Sequence, residues 1–279
     1  MGDDTTDLLL REKLGLNDEE IRGFWNKDVG RLVRQGWDPP LAYIHLILNH
    51  LEKSKLKLSN SDLRDLGKNV FLFPGVQDLF PNLTSFVESS KEFLEAHVQI
   101  EFYVITAGFE EIVRGTSIAN EFKDIFGCTF VDSGGRLIPK SVISFTEKTK
   151  FLYAVNKGIS GSELRRNPYR VNDVVEKDKR RIPFSNMIYI GDGPTDIPCF
   201  STIHQNGGKT VGVLKYDKKG GNKIVDKRRA WAIARGDRDR ATLGPYRPDY
   251  TKNSDLYTNL LLQIERVALE IVDTFMRRE

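Results

Sequence analysis

Ile188-Tyr189-Ile190-Gly191-Asp192-Gly193-Pro194-Thr195-Asp196-Ile197 is the stretch on which the reading of this chain turns. Three β-branched or aromatic residues in a row predict a buried strand, and the two glycines let the backbone turn tightly at its end. Two carboxylates four positions apart follow at once. In an open α/β sheet the C-terminal ends of the strands face the ligand crevice. Acids in such a place suit a hard cation, because magnesium prefers one or two carboxylates together with waters and phosphate oxygens. The plain alternative is an acidic strand-to-helix turn in which Thr195 or Asp196 caps the next helix.

Neighbouring segments extend this pattern in both directions. Residues 98–105, 186–190 and 210–214 are apolar, β-rich runs of the kind that form buried parallel strands. Residues 109–122 carry helical periodicity, and 129–145 alternate around Gly134-Gly135 as a hairpin does. A further helix is predicted over 147–157, capped by Thr146 and ended at Gly158. The succession of strands and helices predicts an α/β fold built on a Rossmann-like open parallel sheet. Residues 8–69 differ in character: they show helical spacing and no strand, and the most apolar helix, 41–51, starts from Asp38 and Pro39-Pro40. They are read as a helical insert that returns through the turn Phe73-Pro74-Gly75. The domain division is then 1–7 with 70–279 for the sheet domain and 8–69 for the insert. Residues 215–250 read as loop and short helix, and 255–277 as an amphipathic helix packed on the sheet.

Composition sets limits on function. With 42 basic and 39 acidic residues the net charge is +3, so nothing global demands nucleic acid or an anionic membrane as partner. No apolar run reaches the roughly 18 residues of a membrane span, and the first residues are acidic where a secretory signal is basic and then apolar. A cytoplasmic location is the expectation. Cys128 and Cys199 stand far apart without CxxC spacing, which points to buried small hydrophobes and not to a disulfide or zinc site.

Two further signals accompany the acidic turn. Phe102-Tyr103-Val104-Ile105-Thr106-Ala107-Gly108 predicts a strand ending in a hydroxyl and then a helix start, where Thr106 and the N–H groups of Ala107 and Gly108 form a phosphate cradle. A threonine that merely caps a helix is the ordinary reading of Thr106 alone. Lys148 opens the 147–157 helix, where a cation opposes the macrodipole unless a phosphate or carboxylate compensates it. The alternatives are a solvated lysine, or Lys150 in its place.

Thr106, Lys148 and the Asp192/Asp196 pair, in this order, resemble the haloacid dehalogenase superfamily, and the hairpin before the lysine helix looks most like its phosphoserine-phosphatase branch. The resemblance covers about residues 73–214 and makes 8–69 a helical cap. It implies a magnesium-dependent phosphohydrolase in which Thr106 binds the transferring phosphoryl group, Lys148 neutralises it, Asp192 ligates magnesium and Asp196 completes or orients the metal site. The family's first motif is a strand followed by DxDxT, whose first Asp is the nucleophile and whose second is the general acid/base. Here Met1-Gly2-Asp3-Asp4-Thr5 is the candidate: Asp3 takes the acid/base and metal-side place, and Met1 stands where the nucleophile belongs. The other register makes Asp3 the nucleophile and leaves Thr5, a poor proton shuttle, as acid/base. The first-motif strand belongs at the centre of the sheet, between those ending in Thr106 and Asp192. Strands lie about 4.8 Å apart, so without it a gap of nearly twice that opens, and such a sheet is not expected to persist unaltered. The expected function is phosphate-monoester hydrolysis through an aspartyl-phosphate, from a protein extended upstream. The chain with Met1 in place is expected to be silent, a phosphate-ligand-binding or interaction module of the same fold.

A third class is nucleic-acid binding through residues 165–181 and 215–240. The latter hold ten Lys/Arg against four Asp, with Tyr216 and Trp231 interleaved. Interspersed acids favour a solvated loop. His45 and His50, five apart, point to different parts of their helix and make no metal pair. The partner expected is a small phosphorylated substrate, which the sequence does not name.

Overall fold

The computed structural model describes residues 4–215, 233 and 241–277. The chain forms two compact units, Met1–Phe71 with Tyr103–Lys148, and Leu72–Phe102 with Thr149–Glu279. Both mix helices with a small sheet, so the α/β class holds.

In the first unit, β1 (Tyr103–Phe109) runs parallel to β2 (Asp124–Asp132), and β2 pairs antiparallel with β3 (Leu137–Ser141). The expected hairpin is there: Gly134 and Gly135 take φ of 65° and 86° between Ser133 and Arg136. Helices α1 (Thr5–Glu12), α2 (Asp18–Gly23), α3 (Gly30–Arg34), α4 (Pro39–Lys53) and α5 (Asn60–Gly67) make up the strand-free N-terminal segment. Their apolar faces supply the core: Leu9, Leu10, Ile44, Ile47 and Leu63 are fully buried, as are Ile112 and Ile125 of the sheet side. Asp38 stands at the N-cap of α4 without capping it. Pro39 and Pro40 have no N–H to offer, and its carboxylate accepts from Ser144 instead.

The helix expected over 109–122 is shorter. α8 (Glu110–Arg114) ends at Gly115, and a single 3-10 turn at Ala119–Glu121 follows. Gly115 is required by a backbone crossing: a Cβ there would sit 1.8 Å from the Arg64 carbonyl oxygen, and one on Gly67 would sit 2.2 Å from that of Ile112. α5 and α8 therefore touch backbone to backbone. Gly115→Ala is expected to destabilise the first unit by about 2–3 kcal/mol, since overpacking against main chain has no side chain to yield. Urea unfolding checks this, and a loss below about 0.5 kcal/mol would contradict it.

In the second unit, β4 (Ile188–Gly191), β5 (Lys209–Val213) and β6 (Leu243–Tyr246) are parallel, with β5 in the middle. β6 lies where the sequence reads as loop, because Leu243-Gly244-Pro245-Tyr246 lacks strand character. An edge position tolerates its proline. Helices α6 (Val76–Glu88), α7 (Lys91–Glu95), α10 (Gly161–Arg166), α11 (Ile197–Gln205) and α12 (Asp255–Met276) accompany it. α9 (Glu147–Lys157) has the predicted bounds and ends at Gly158, φ 74°. α12 buries Ala268 and Val272 against Val87, Phe93 and Ala96 of α6 and α7. Val98 and Ile100, read as strand, join this helical cluster, so β1 begins five residues later than the 98–105 run.

Of the expected α/β fold on one open parallel sheet, the α/β class is what the described residues show. Their strands make two three-stranded sheets, with β1 at the edge of one and β4 at the edge of the other. Among the described residues no strand pairs with the second edge of either. The described helices include none long and apolar enough to cross a membrane.

Candidate functional site

Thr106, Ala107 and Gly108 lie inside β1, past a break in its register with β2 between Ile105 and Phe109. The break frees the backbone to fold on itself: Gly108 N donates to Thr106 Oγ1 at 3.0 Å. The Ala107 carbonyl accepts from the Tyr43 phenol and from the Cys128 thiol. A helix N-terminus does not complete the cradle as expected. α8 starts only at Glu110, and its first turn is held by acids. Glu110 accepts from Gly127 N at 3.2 Å and pairs with Arg114 at 2.8 Å.

The N-terminal residues meet this loop. A Cβ on Gly108 would lie 2.6 Å from Thr5 Oγ1 and 3.3 Å from Thr106 Oγ1, so glycine is needed for Thr5 to pack there. Thr5 and Thr6 are buried, and Asp4 caps α1 by accepting from Thr6 N at 3.0 Å. Asp3 and Met1 lie outside the described residues.

Lys148 is only 5 % exposed, so it is not the solvated lysine that its position alone allowed. A buried ammonium requires a compensating partner. Lys150, its rival, rests over the Phe151 ring with Nζ 4.9 Å from the centroid.

The second unit carries the acidic turn at the C-terminal end of β4, and there the two carboxylates separate in role. Asp196 is 4 % exposed, and its Oδ2 accepts from Asp192 N and Gly193 N, each at 3.1 Å. Its Oδ1 accepts from the Tyr189 phenol at 2.9 Å. A Cβ on Gly191 would lie 2.7 Å from the Asp196 Cβ, so the close approach depends on glycine. Asp196 thereby builds the turn, while Asp192 stays exposed at its tip. Burial, then the Asp196 charge, holds the Tyr189 phenol well above its ordinary pKa.

The sequence-predicted residues thus fall in two places: Thr106, Ala107, Gly108 and Lys148 in the first unit, Asp192 and Asp196 in the second. Among the described residues no three His, Cys, Asp or Glu side chains gather as a metal-binding group. The donor set is instead one exposed carboxylate on an anchored turn, which fits a cation that keeps most of its waters. Sequence reasoning missed Tyr43 and Tyr189, whose phenols donate to the Ala107 carbonyl and to Asp196. Tyr189 alone had a signal, a polar-tipped residue alternating within an apolar strand that leads into the turn.

Both cysteines are buried and free, as their spacing suggested. The basic residues of 165–181 are in part spent on acids: Arg170 pairs with Glu163 and Asp173, Lys179 with Glu176, and Arg181 with Glu101. The basic 215–240 stretch, apart from Lys215 and Ile233, lies outside the described residues.

The chain is similar to an uncharacterized protein of Borreliella burgdorferi, 27% identical over 251 residues that span 83% of this chain and 79% of that protein. No protein-family profile matches the chain. No solved structure matches it.

Proposed function

We propose that the chain binds a phosphorylated ligand through Thr106 and Lys148 and magnesium through Asp192, in the manner of a haloacid-dehalogenase-like phosphohydrolase. The observation that carries the reading is the acidic turn at the C-terminal end of β4, where the Asp196 carboxylate holds the backbone and Asp192 stands exposed at the tip. The packing of Thr5 against Thr106 and Gly108, and the burial of Lys148, support it.

In the reaction of that family a carboxylate nucleophile would attack phosphorus and displace the alcohol oxygen, which would take a proton from Asp3. Water, deprotonated by Asp3, then attacks the same phosphorus and releases phosphate and the carboxylate. Magnesium, when bound, offsets the repulsion between carboxylate and phosphate. Lys148 adds a fixed positive charge, and the Thr106 hydroxyl donates to a phosphoryl oxygen.

The second reading is a module of the same fold that binds the phosphorylated ligand without turnover. A ligand at ten times its dissociation constant adds about 1.4 kcal/mol of stability, or about 3–6 °C in Tm for units of this size. Magnesium with inorganic phosphate is expected to raise Tm by that amount, and Asp192→Asn to abolish the shift. Met1→Asp behind an added initiator methionine and a short apolar run is expected to gain metal-dependent release of p-nitrophenol from its phosphate ester. No shift in the wild-type chain would remove the phosphate-binding reading. A shift without turnover in the Met1→Asp protein would leave only the silent module.

A further inference from the structure

The Ala107-Gly108 peptide of the first unit is held from both sides. Its carbonyl oxygen accepts from two donors at once, the Tyr43 phenol of α4 and the Cys128 thiol of β2, the latter at 3.1 Å. A carbonyl oxygen has two lone pairs, so its capacity to accept is filled. The peptide is trans and planar, and its N–H points opposite to its C=O. The Gly108 N–H is therefore turned away from Tyr43 and Cys128, and it donates to Thr106 Oγ1 at 3.0 Å. The pairing of β1 with β2 shifts register between Ile105 and Phe109, so these side chains, and not the strand ladder, set how the peptide lies.

Both donors are fixed in turn. Tyr43 is buried, its ring set edge-on against Trp25 with centroids 5.6 Å apart and tilted against Phe109 at 6.3 Å. Trp25 is tied down by its indole N–H, which donates to Asp7 at 2.6 Å. Cys128 Sγ accepts from Ile143 N at 3.3 Å while its S–H reaches Ala107. The consequence falls on Thr106. With Oγ1 occupied by the Gly108 N–H, the hydroxyl proton has to leave the oxygen in another direction, and no group among the described residues accepts it. Thr106 is only partly buried, so that donor is open to an acceptor that arrives with a ligand.

Resting on the proposed function, we infer that Tyr43 is a positioning residue for phosphate: by fixing the Ala107-Gly108 peptide it keeps Thr106 Oγ1 as acceptor toward the backbone and the Thr106 proton directed at a phosphate oxygen. Tyr43 does not touch the ligand in this role. The helical N-terminal segment thereby sets phosphate affinity through a single hydroxyl. Cys128, whose S–H is a weak donor, assists at the same carbonyl.

Tyr43→Phe tests this, because it deletes the hydroxyl, keeps the ring and leaves Cys128 on the carbonyl. Calorimetric titration with inorganic phosphate in the presence of magnesium is expected to show a Kd raised about three- to tenfold, the worth of one neutral hydrogen bond. Thr106→Val, which removes the ligand-facing hydroxyl itself, is expected to raise it about tenfold. The double variant separates positioning from packing. With the Thr106 hydroxyl gone, adding Tyr43→Phe is expected to change the phosphate Kd by less than about twofold, whereas independent losses would multiply. Multiplying losses overturn the inference. An unchanged phosphate Kd in Tyr43→Phe beside a weakened one in Thr106→Val also overturns it, and leaves the functional reading standing. Should Tyr43→Phe fail to fold, Cys128→Ala takes its place: a rise of about threefold is expected with Thr106 present and none with Thr106→Val, and no rise in either overturns the inference. If wild-type protein does not bind phosphate, or Thr106→Val binds it as tightly as wild type, the functional reading fails and this inference with it.

Discussion

Replacing Asp196 by alanine is expected to remove about 3–5 kcal/mol from the stability of the second unit. Three donors lose their acceptor together: the N–H groups of Asp192 and Gly193 and the Tyr189 hydroxyl. A donor stranded in a buried place costs about 1–3 kcal/mol, and bonds to a charged acceptor lie at the upper end. The Asp192 N–H lies beside solvent and recovers part of its share from water. Asp196→Asn is expected to cost about 2 kcal/mol, because its amide NH2 faces donors wherever it replaces the second oxygen. Asp192→Asn, at an exposed position, is expected to change stability by less than about 1 kcal/mol while removing the magnesium response. Urea unfolding of the three variants decides the matter. If Asp196→Ala is as stable as Asp192→Asn, the two acids do not divide their roles as described.

The second large effect is alkaline. Burial pushes the Cys128 thiol up to about 11 and holds the phenols of Tyr43, Tyr189 and Tyr250 above their ordinary range. For Tyr43 the charges of Cys128, Asp4 and Asp38 act in the same direction after burial. In each case the folded chain retains a proton that the unfolded chain gives up. The stability these groups contribute is therefore fully present below their unfolded pKa values and is lost as pH rises toward the folded ones. Loss begins near pH 9 with Cys128, whose ordinary value is 9.0, and steepens above about pH 10 as the phenols join. The limiting slope is about 1.4 kcal/mol per pH unit for each group, and partial titration reduces it to about 1 kcal/mol each between pH 10 and 11, so the four together lose about 4 kcal/mol there. That rivals the roughly 5–15 kcal/mol total of a folded domain, and cooperative unfolding near pH 11 is the expected result. Circular dichroism and phenolate absorbance at rising pH follow it. Cys128→Ala with Tyr189→Phe is expected to flatten the slope, whereas a wild-type stability constant from pH 9 to 10.5 would refute the account.

The parts of the candidate site differ in how far the sequence disclosed them. Gly191-Asp192-Gly193 was legible because the turn, the strand before it and the acids are local along the chain. That Asp196 would be buried and Asp192 exposed was not, since the choice rests on how the turn folds back onto Tyr189. Lys148 looked like a lysine working against a helix dipole, and its burial depends on which residues pack over the start of α9. Thr106 was placed at a helix start, but α8 begins only at Glu110 and the hydroxyl lies within the strand.

Sequence alone determined the α/β class, the hairpin at Gly134-Gly135, the bounds of α9, the strand-free helical N-terminal segment and the terminal helix. These follow from periodicity, turn residues and caps, which act over a few positions. Tertiary structure decided that the strands form two sheets, that β1 starts after Val98 and Ile100 have joined a helical cluster, and that α8 stops where Gly115 crosses Arg64. Strand pairing, burial of a charge and backbone crossings are settled by partners far away along the chain, and local propensity yields to them because each carries a larger free energy than a residue's own preference.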